Sequence, residues 1–195
     1  MKDLVNFLFE ANSLKRIKRT GWQILGQGEE SVAEHLAVSA IIGYTLAKLA
    51  KGDKEKVVLM CLFHNFYEAR LGDLHSLAQH YLNKDGGRKR IEKDAFGKLP
   101  FGKEVLSLIK EYRERKTLEA RLAKDADALS FMIQLKEFID LGAGESFARE
   151  WFSIHKKTRL RTGVGRKLGE AIEKGRMHDW WEDIRGKIAR NWERE

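Results

Sequence analysis

Residues 31–51 read SVAEHLAVSAIIGYTLAKLAK. Ser31 and Glu34 match the capping box, in which a serine hydroxyl and a glutamate carboxylate each bind a free backbone N–H at the start of a helix. Apolar side chains then occupy most helical positions up to Leu49. A helix that is apolar on most of its faces is normally buried. We therefore expect residues 31–51 to form the central helix of the protein.

The rest of the chain also spaces its apolar residues as helices do, and no strand-like alternation is evident. The chain has one proline in 195 residues, and proline is the residue that most readily interrupts a helix. We predict an all-α, single-domain helical bundle over residues 1–195, with a core of about 4–142 and a basic helical extension of about 145–195. The expected helices cover about 3–18, 31–51, 54–70, 74–82, 87–96, 101–115, 117–141, 145–154, 164–174 and 178–192, with a polar loop at 26–30.

Composition limits the function classes. A single cysteine excludes an internal disulfide framework and a cysteine-rich zinc site, so a metal ion would need His nitrogens and side-chain oxygens. No signal-peptide pattern or apolar run of about 18 residues is evident, which favours a cytoplasmic protein with no membrane partner.

The net charge of +8 fits a nucleic-acid binder, an enzyme for phosphate-bearing substrates, or a charged surface. The densest basic stretch, 156–176, carries no nucleic-acid motif, and we interpret it as a solvated surface.

Three polar clusters interrupt the apolar helices. They are His35, the group His64, Asn65 and Glu68, and the pair Asp125 and Asp127. Burying such groups is costly unless they are paired or bind an ion. Two imidazoles, an amide oxygen and a carboxylate from three helices would suit Mn, Fe, Co, Ni, Mg or Zn. Spacing alone leaves the alternative open, that these are core side chains satisfied by hydrogen bonds.

Five motifs in chain order resemble the HD-domain metal-dependent phosphohydrolases, and within them the small 5'-deoxynucleotidase group. They are LKRIKRTGW at 14–22, ESVAEH at 30–35, HNFYE at 64–68, GD at 72–73 and KDADAL at 124–129. The similarity covers about residues 4–140. It implies an HD-type bundle, a divalent metal, a nucleotide substrate and a homodimer.

The resemblance also implies a role for each matching residue. The implied metal ligands are His35, His64, Asn65 and Asp127; Glu68 would activate a water, Asp73 would hold the sugar or that water, and Arg19 and Trp22 would contact the nucleotide. From the residues alone, Trp22 is equally a core aromatic, and Arg19 belongs to a basic run that is partly solvated. Asp125 is interpreted as a surface residue or a support for a ligand.

Asn65 departs from the pattern, because the resembled family has Asp after the second His. An asparagine oxygen can still bind a metal ion, but the site loses one negative charge and should hold a divalent cation less tightly. Three explanations stay open: a working variant with weaker affinity, a site whose catalysis has decayed, or an introduced Asp→Asn change.

The leading hypothesis is a metal-dependent phosphohydrolase that removes phosphate from (deoxy)nucleoside 5'-monophosphates by attack of water on phosphorus. The alternative is a nucleotide-binding regulator with weak or no turnover, motivated by Asn65. A third hypothesis is nucleic-acid binding by residues 156–176.

Overall fold

The computed structural model describes residues 1–26, 29–82, 85–142 and 145–192. Over these ranges the chain forms helices and no strand, which confirms the all-α prediction. The predicted loop at 26–30 is described only in part, since residues 27 and 28 lie outside these ranges. The helices are α1 (Lys2–Ser13), α2 (Val32–Ala50), α3 (Lys54–Phe63), α4 (Glu68–Leu71), α5 (Ser76–Tyr81), α6 (Asp85–Phe96), α7 (Gly102–Glu114), α8 (Leu118–Asp140), α9 (Glu145–Arg159), α10 (Gly163–Lys174) and α11 (Asp179–Trp192).

Helix α2 begins where the capping box places it. The Ser31 hydroxyl accepts from the Glu34 N–H at 3.2 Å, and Glu34 Oε2 accepts from the Ser31 N–H at 2.6 Å. The helix packs between α3 and α8, as expected for a central helix. Gly43 allows the close approach of α3, because a Cβ there would lie 2.8 Å from the Cys61 sulfur.

The same helix is long and apolar enough to cross a membrane by length and composition, with a mean hydropathy of 1.2. Half of that window is buried inside the protein. His35 in its first turns is fully buried as well. Its packing is therefore that of a core helix, although the sequence reading had found no apolar segment of this length.

Three predicted helices are wrong in extent, and one of them, expected over 145–154, continues to Arg159. The helix expected over 54–70 ends at Phe63, and a turn over 64–67 separates it from the four-residue helix α4. The first helix ends at Ser13 and is followed by a short 3-10 turn. A second 3-10 helix, Thr20–Leu25, was not predicted. No glycine or proline marks the ends at Ser13 and Phe63 in the sequence.

The C-terminal helices share the core of the N-terminal part. Ala148 and Phe152 of α9 and Leu160 after it are buried in the same cluster as α2, α3 and α8. Gly169 of α10 lies so close to Leu160 that a Cβ there would meet it at 2.6 Å. The core therefore continues beyond the bound of about 142 that the sequence suggested. Residues 193–195 of the expected extension lie outside the described ranges.

Candidate active site

His35, His64 and Asp127 meet at one point inside the bundle. Their ligand atoms all lie within 4.8 Å of one another. His35 Nε2 is 3.1 Å and His64 Nε2 is 3.5 Å from Asp127 Oδ1. Both histidines are buried. Helix α2, the end of α3 and helix α8 each supply one residue, as the sequence had suggested for a metal site made by three helices.

Hydrogen bonding fits His64 for a metal ion. Its Nδ1 lies 2.8 Å from the carbonyl oxygen of Cys61. Because a carbonyl oxygen only accepts, the neutral ring carries its proton on Nδ1 and keeps a lone pair on Nε2. Within the described ranges this buried Nε2 has no hydrogen-bond partner. A metal-binding histidine is commonly held in this way by its other ring nitrogen.

Asp127 is the charged centre of the site. Tyr112 donates its hydroxyl to Asp127 Oδ2 at 2.8 Å, and Lys124 Nζ lies 3.7 Å from the same oxygen. Burial opposes ionisation, but the neighbouring His64, His35 and Lys124 outweigh it and hold the pKa of Asp127 well below its usual range. The carboxylate is therefore ionised at neutral pH, as a metal ligand must be.

Glu30 is buried next to His35, although no sequence motif had assigned it a role. Its side chain is 5% exposed, and its Oε1 lies 4.0 Å from His35 Nδ1. Trp22 donates its indole N–H to Glu30 Oε2 at 2.8 Å. Arg19 Nε lies 3.8 Å from that oxygen. Glu30 belongs to the 30–35 motif, and its position five residues before the ligand histidine was the available signal.

Trp22 lies in the core, which corrects the nucleotide contact that the resemblance implied. The side chain is 1% exposed and is absent from the walls of the large cavity beside the triad. Its ring stacks on Phe131 at a centroid distance of 4.7 Å. Trp22 is therefore a core aromatic, which is the alternative that the sequence had left open. An indole of this size gains more from burial than from a solvated position.

Arg19, Glu68 and Asp73, to which the family resemblance assigns roles on one substrate, all line that cavity. Glu68 is 3% exposed and accepts a hydrogen bond from the Tyr67 hydroxyl at 3.0 Å. Asp73 Oδ2 accepts from the Thr20 N–H at 2.6 Å. Burial alone would lower the pKa of Arg19, but the carboxylates facing it, Asp73 first, raise it above its usual value.

Asn65 lies in the turn between α3 and α4 and also lines the cavity. Its backbone carbonyl oxygen accepts from the Glu68 N–H at 3.0 Å, which closes the turn. The sequence predicted a single helix through His64 and Glu68, but that helix ends before His64, so the two residues share no helical face. The turn nevertheless places both residues at the same site.

Five basic side chains also line the cavity. Burial, helped by the charges of Arg115, Arg88 and Arg159, lowers the pKa of Lys124 to about 8 against the opposing effect of Asp127. Arg159 and Arg161 come from the stretch 156–176, which was interpreted as solvated surface. That interpretation holds for Lys156, which pairs with Glu173, but Arg159 and Arg161 face the cavity.

An aromatic patch completes the cavity. Phe131, Trp151 and His155 all line it, and the His155 ring stacks on Phe131 at 4.4 Å. The sequence reading assigned His155 no role, because it lies far along the chain from the motifs. The cavity encloses about 730 Å³, within the range of small-molecule sites.

Asp125, two residues before Asp127, has a structural role outside the metal site. It is fully buried and accepts from the N–H groups of Arg161 and Thr162 at 2.7 and 2.8 Å, and from the Thr162 hydroxyl at 2.6 Å. Gly165 leaves room for it, since a Cβ there would lie 2.2 Å from Asp125 Oδ2. The residue is thus a buried anchor for the start of α10, neither a surface residue nor a support for a ligand.

Comparison with known proteins agrees with this geometry. A family model described as HD domain matches residues 11–163. A Danio rerio protein named 5'-deoxynucleotidase HDDC2 is 30% identical over 159 residues, which is 78% of each chain. The Dictyostelium discoideum protein of the same name is 31% identical over 152 residues, 71% of this chain and 78% of its own.

Solved structures give the same result. A conserved hypothetical protein from Pyrococcus furiosus superposes with a TM-score of 0.72 at 32% identity, over 88% of this chain and 99% of that one. A predicted metal-dependent phosphohydrolase from Magnetospirillum magnetotacticum, at 22% identity and a TM-score of 0.66 over 88% of this chain and 89% of that one, shares the fold. The matched length and the ordered ligand residues together confirm the resemblance seen in the motifs: this chain belongs to the HD domain family.

Proposed function

We propose that this protein is a metal-dependent phosphomonoesterase that releases inorganic phosphate from (deoxy)nucleoside 5'-monophosphates. The observation that carries the proposal is the His35, His64 and Asp127 cluster, whose carboxylate opens onto a cavity shared with Arg19 and Glu68. The relatives named 5'-deoxynucleotidase support this substrate class. Their names also favour an enzyme with turnover over the alternative of a nucleotide-binding regulator, which Asn65 had suggested.

The metal ion would be held by His35, His64 and Asp127, with the Asn65 side-chain oxygen as a further ligand. When bound, a divalent cation polarises a phosphoryl oxygen and neutralises part of its charge. Imidazole and carboxylate ligands together suit Mn, Fe, Co, Ni and Zn. Mg would bind mainly to the side-chain oxygens of Asp127 and Asn65. Which of these ions the protein uses is to be measured.

Glu68 would act as the general base. It lies in the cavity wall, it is buried, and the Tyr67 hydroxyl fixes its Oε1. A carboxylate in this position can accept the proton of a water as the water oxygen attacks phosphorus. The P–O5' bond then breaks, which releases the nucleoside and inorganic phosphate.

Arg19 and Asp73 would orient the substrate. Arg19 offers planar N–H donors to the phosphate oxygens, and the carboxylates around it keep it charged. The Thr20 N–H and hydroxyl both donate to Asp73 Oδ2, so Oδ1 can accept from a sugar hydroxyl or from the attacking water. The aromatic patch of Phe131, Trp151 and His155 offers an apolar surface for the sugar or the base.

The test is phosphate release from a panel of ribo- and deoxynucleoside 5'-monophosphates with Mn, Co or Mg. Glu68→Gln should lower kcat at least a hundredfold, because it removes the base. The exposed Glu55→Gln is the matched control and should retain the wild-type rate. No release with any ion, from this chain or from its Asn65→Asp variant, would refute the proposal.

Homodimer formation and a cytoplasmic location remain predictions. The dimer rests on the family resemblance, and the exposed apolar side chains of Val5, Leu8 and Phe9 on α1 agree with it. Light scattering of the purified protein gives the mass: twice 22.5 kDa is expected, and a monomer at micromolar concentration would contradict the dimer.

A further inference from the structure

The cavity has more positive charge than the proposed reaction needs. We call Arg88, Arg115, Lys124, Arg159 and Arg161 the basic wall, since all five line the cavity. They come from α6, the end of α7, α8, the end of α9 and the turn after it. None of them belongs to the five sequence motifs except Lys124.

Charges of the basic wall lie close together. Arg88, Arg115 and Arg159 are all near enough to Lys124 for their charges to act on it. Lys124 Nζ itself lies 3.9 Å above the Tyr112 ring and 3.7 Å from Asp127, so it stands next to the metal site. The wall therefore begins at the reaction centre and extends toward the C-terminal helices.

Only part of this charge is balanced within the protein. Arg88 pairs with Glu92 at 3.0 Å, and Lys124 pairs with Asp127. In the part of the chain that the structure describes, the side chains of Arg115 and Arg159 have no carboxylate within 4.0 Å. Like charges gathered around one cavity repel each other, and a bound anion would offset that repulsion.

A single phosphate already has partners elsewhere. It would meet the divalent cation at His35, His64 and Asp127, together with the buried guanidinium of Arg19. Arg115 and Arg159 are left without a role in that arrangement. Arginine side chains that converge on a cavity are suited to a phosphate group, which their N–H donors match in geometry.

We propose that the basic wall binds a second phosphate group on the same nucleotide, and that Arg115 and Arg159 are the main residues that hold it. This inference rests on the proposed function, because it places the first phosphate at the metal site. The cavity of about 730 Å³ gives room for the larger ligand. The second phosphate has two possible sources: the 5' chain of a nucleoside diphosphate, or the 3' position of a nucleoside 3',5'-bisphosphate.

Binding is measured by calorimetry in the Glu68→Gln background with Mn present, so that turnover does not interfere. The probes are dAMP, dADP and deoxyadenosine 3',5'-bisphosphate. At least one of the two nucleotides with a second phosphate should bind tenfold or more tightly than dAMP. Preference for dADP assigns the second phosphate to the 5' chain, and preference for the bisphosphate assigns it to the 3' position.

The test variant adds Arg115→Asn and Arg159→Gln. Arg115 has a φ of 57°, in the left-handed region that asparagine tolerates, and both arginines are exposed, so the fold should persist. The matched control adds Lys116→Gln and Lys157→Gln, the exposed neighbours of these residues that do not line the cavity. The measured quantity is the dissociation constant of dAMP divided by that of the preferred nucleotide with two phosphates. This ratio should fall at least tenfold in the test variant and stay unchanged in the control.

Two results would overturn the inference: equal affinity for all three nucleotides, or a test variant that keeps the preference. Failure of the proposed function has a different signature. In that case the wild-type chain releases no phosphate from dAMP with any ion, whatever the three dissociation constants are.

Discussion

Thr162 donates its backbone N–H to Oδ2 of Asp125 over 2.8 Å, and Asp125 precedes the candidate ligand Asp127 by two residues in α8. This buried bond joins the start of α10 to the helix that carries the reaction centre. The segment that it holds also carries Arg159 and Arg161, which line the cavity. The relationship explains why an aspartate stands in the middle of a helix, where its intrinsic propensity is poor.

Asp125→Asn should therefore destabilise the protein and loosen the cavity. The amide nitrogen of asparagine cannot accept, so at least one buried donor of Thr162 or Arg161 loses its partner, at a cost of about 1–3 kcal/mol. Urea unfolding measures this loss, and the KM for dAMP should rise with it. Asp94→Asn is the control, because that side chain is 70% exposed. Equal stability of the two variants would contradict the anchoring role.

Asn65→Asp should strengthen metal binding. The change adds a negative charge to the cavity beside His64, and an added carboxylate favours a divalent cation. We expect the Mn concentration for half-maximal activity to fall at least tenfold. Asn6→Asp adds the same charge on the exposed face of α1 and should leave that concentration unchanged. An unchanged value for Asn65→Asp would mean that position 65 is not a ligand.

Chelation of the metal should stop turnover without unfolding the chain. His35 and His64 contact Asp127 directly, and the apolar core is built from other residues, so the metal-free bundle stays folded. Circular dichroism should show the same helix content with and without chelator. Mn should then raise the melting temperature of the wild type, because it binds only the folded state, but not that of Asp127→Asn. Loss of helix signal on chelation would contradict this.

Acid should destabilise the metal-free chain as the pH falls below 6.5, the ordinary pKa of histidine. Burial, helped by the charge of Arg19, lowers the pKa of His35 from 6.5 to about 4. Between these two values the unfolded chain binds a proton that the folded chain does not, so stability is fully present above pH 6.5 and falls as the pH decreases toward 4. The loss should amount to about 3 kcal/mol.

Denaturant unfolding of chelator-treated protein across that pH window measures the slope. His35→Gln removes the titrating ring and should remove most of the slope. Burial also lowers the pKa of His155, so a smaller dependence should remain. A variant with the full wild-type slope would show that another group is responsible.

Trp22→Phe should lower stability and metal affinity more than nucleotide affinity. Phenylalanine keeps the stacking on Phe131 but removes the N–H that binds Glu30. Leaving that buried carboxylate one donor short costs about 1–3 kcal/mol. Trp181→Phe, at an exposed position, is the control. A rise in the KM for dAMP with unchanged stability would instead support the nucleotide contact that the family resemblance implied.

Much of the fold and of the site could be predicted because it depends on local chemistry. The capping box set the start of α2, apolar spacing set the helices, and the motifs named both histidines and Asp127. The end of α3 at Phe63 could not be predicted, because residues 64–67 have no strong helix breaker. In the structure Arg88 donates to the His64 carbonyl oxygen and Phe66 packs on Phe96, and no local pattern predicts these contacts. The burial of Trp22 likewise depends on Phe131 and Glu30, which no local pattern connects to it.

The sequence by itself determined the helical class, the family and the residue types that bind a metal ion, since these follow from hydrophobic periodicity and from motifs that are local along the chain. Only the tertiary structure decided what faces the cavity. It brought Arg159 and His155 to the same cavity as Lys124, although they lie more than 30 positions further along the chain. It also showed that Asp125 anchors the start of α10, whereas Asp127 belongs to the candidate metal site. Contacts between distant segments depend on how helices pack, and helix packing is a property of whole surfaces that no single stretch of sequence contains.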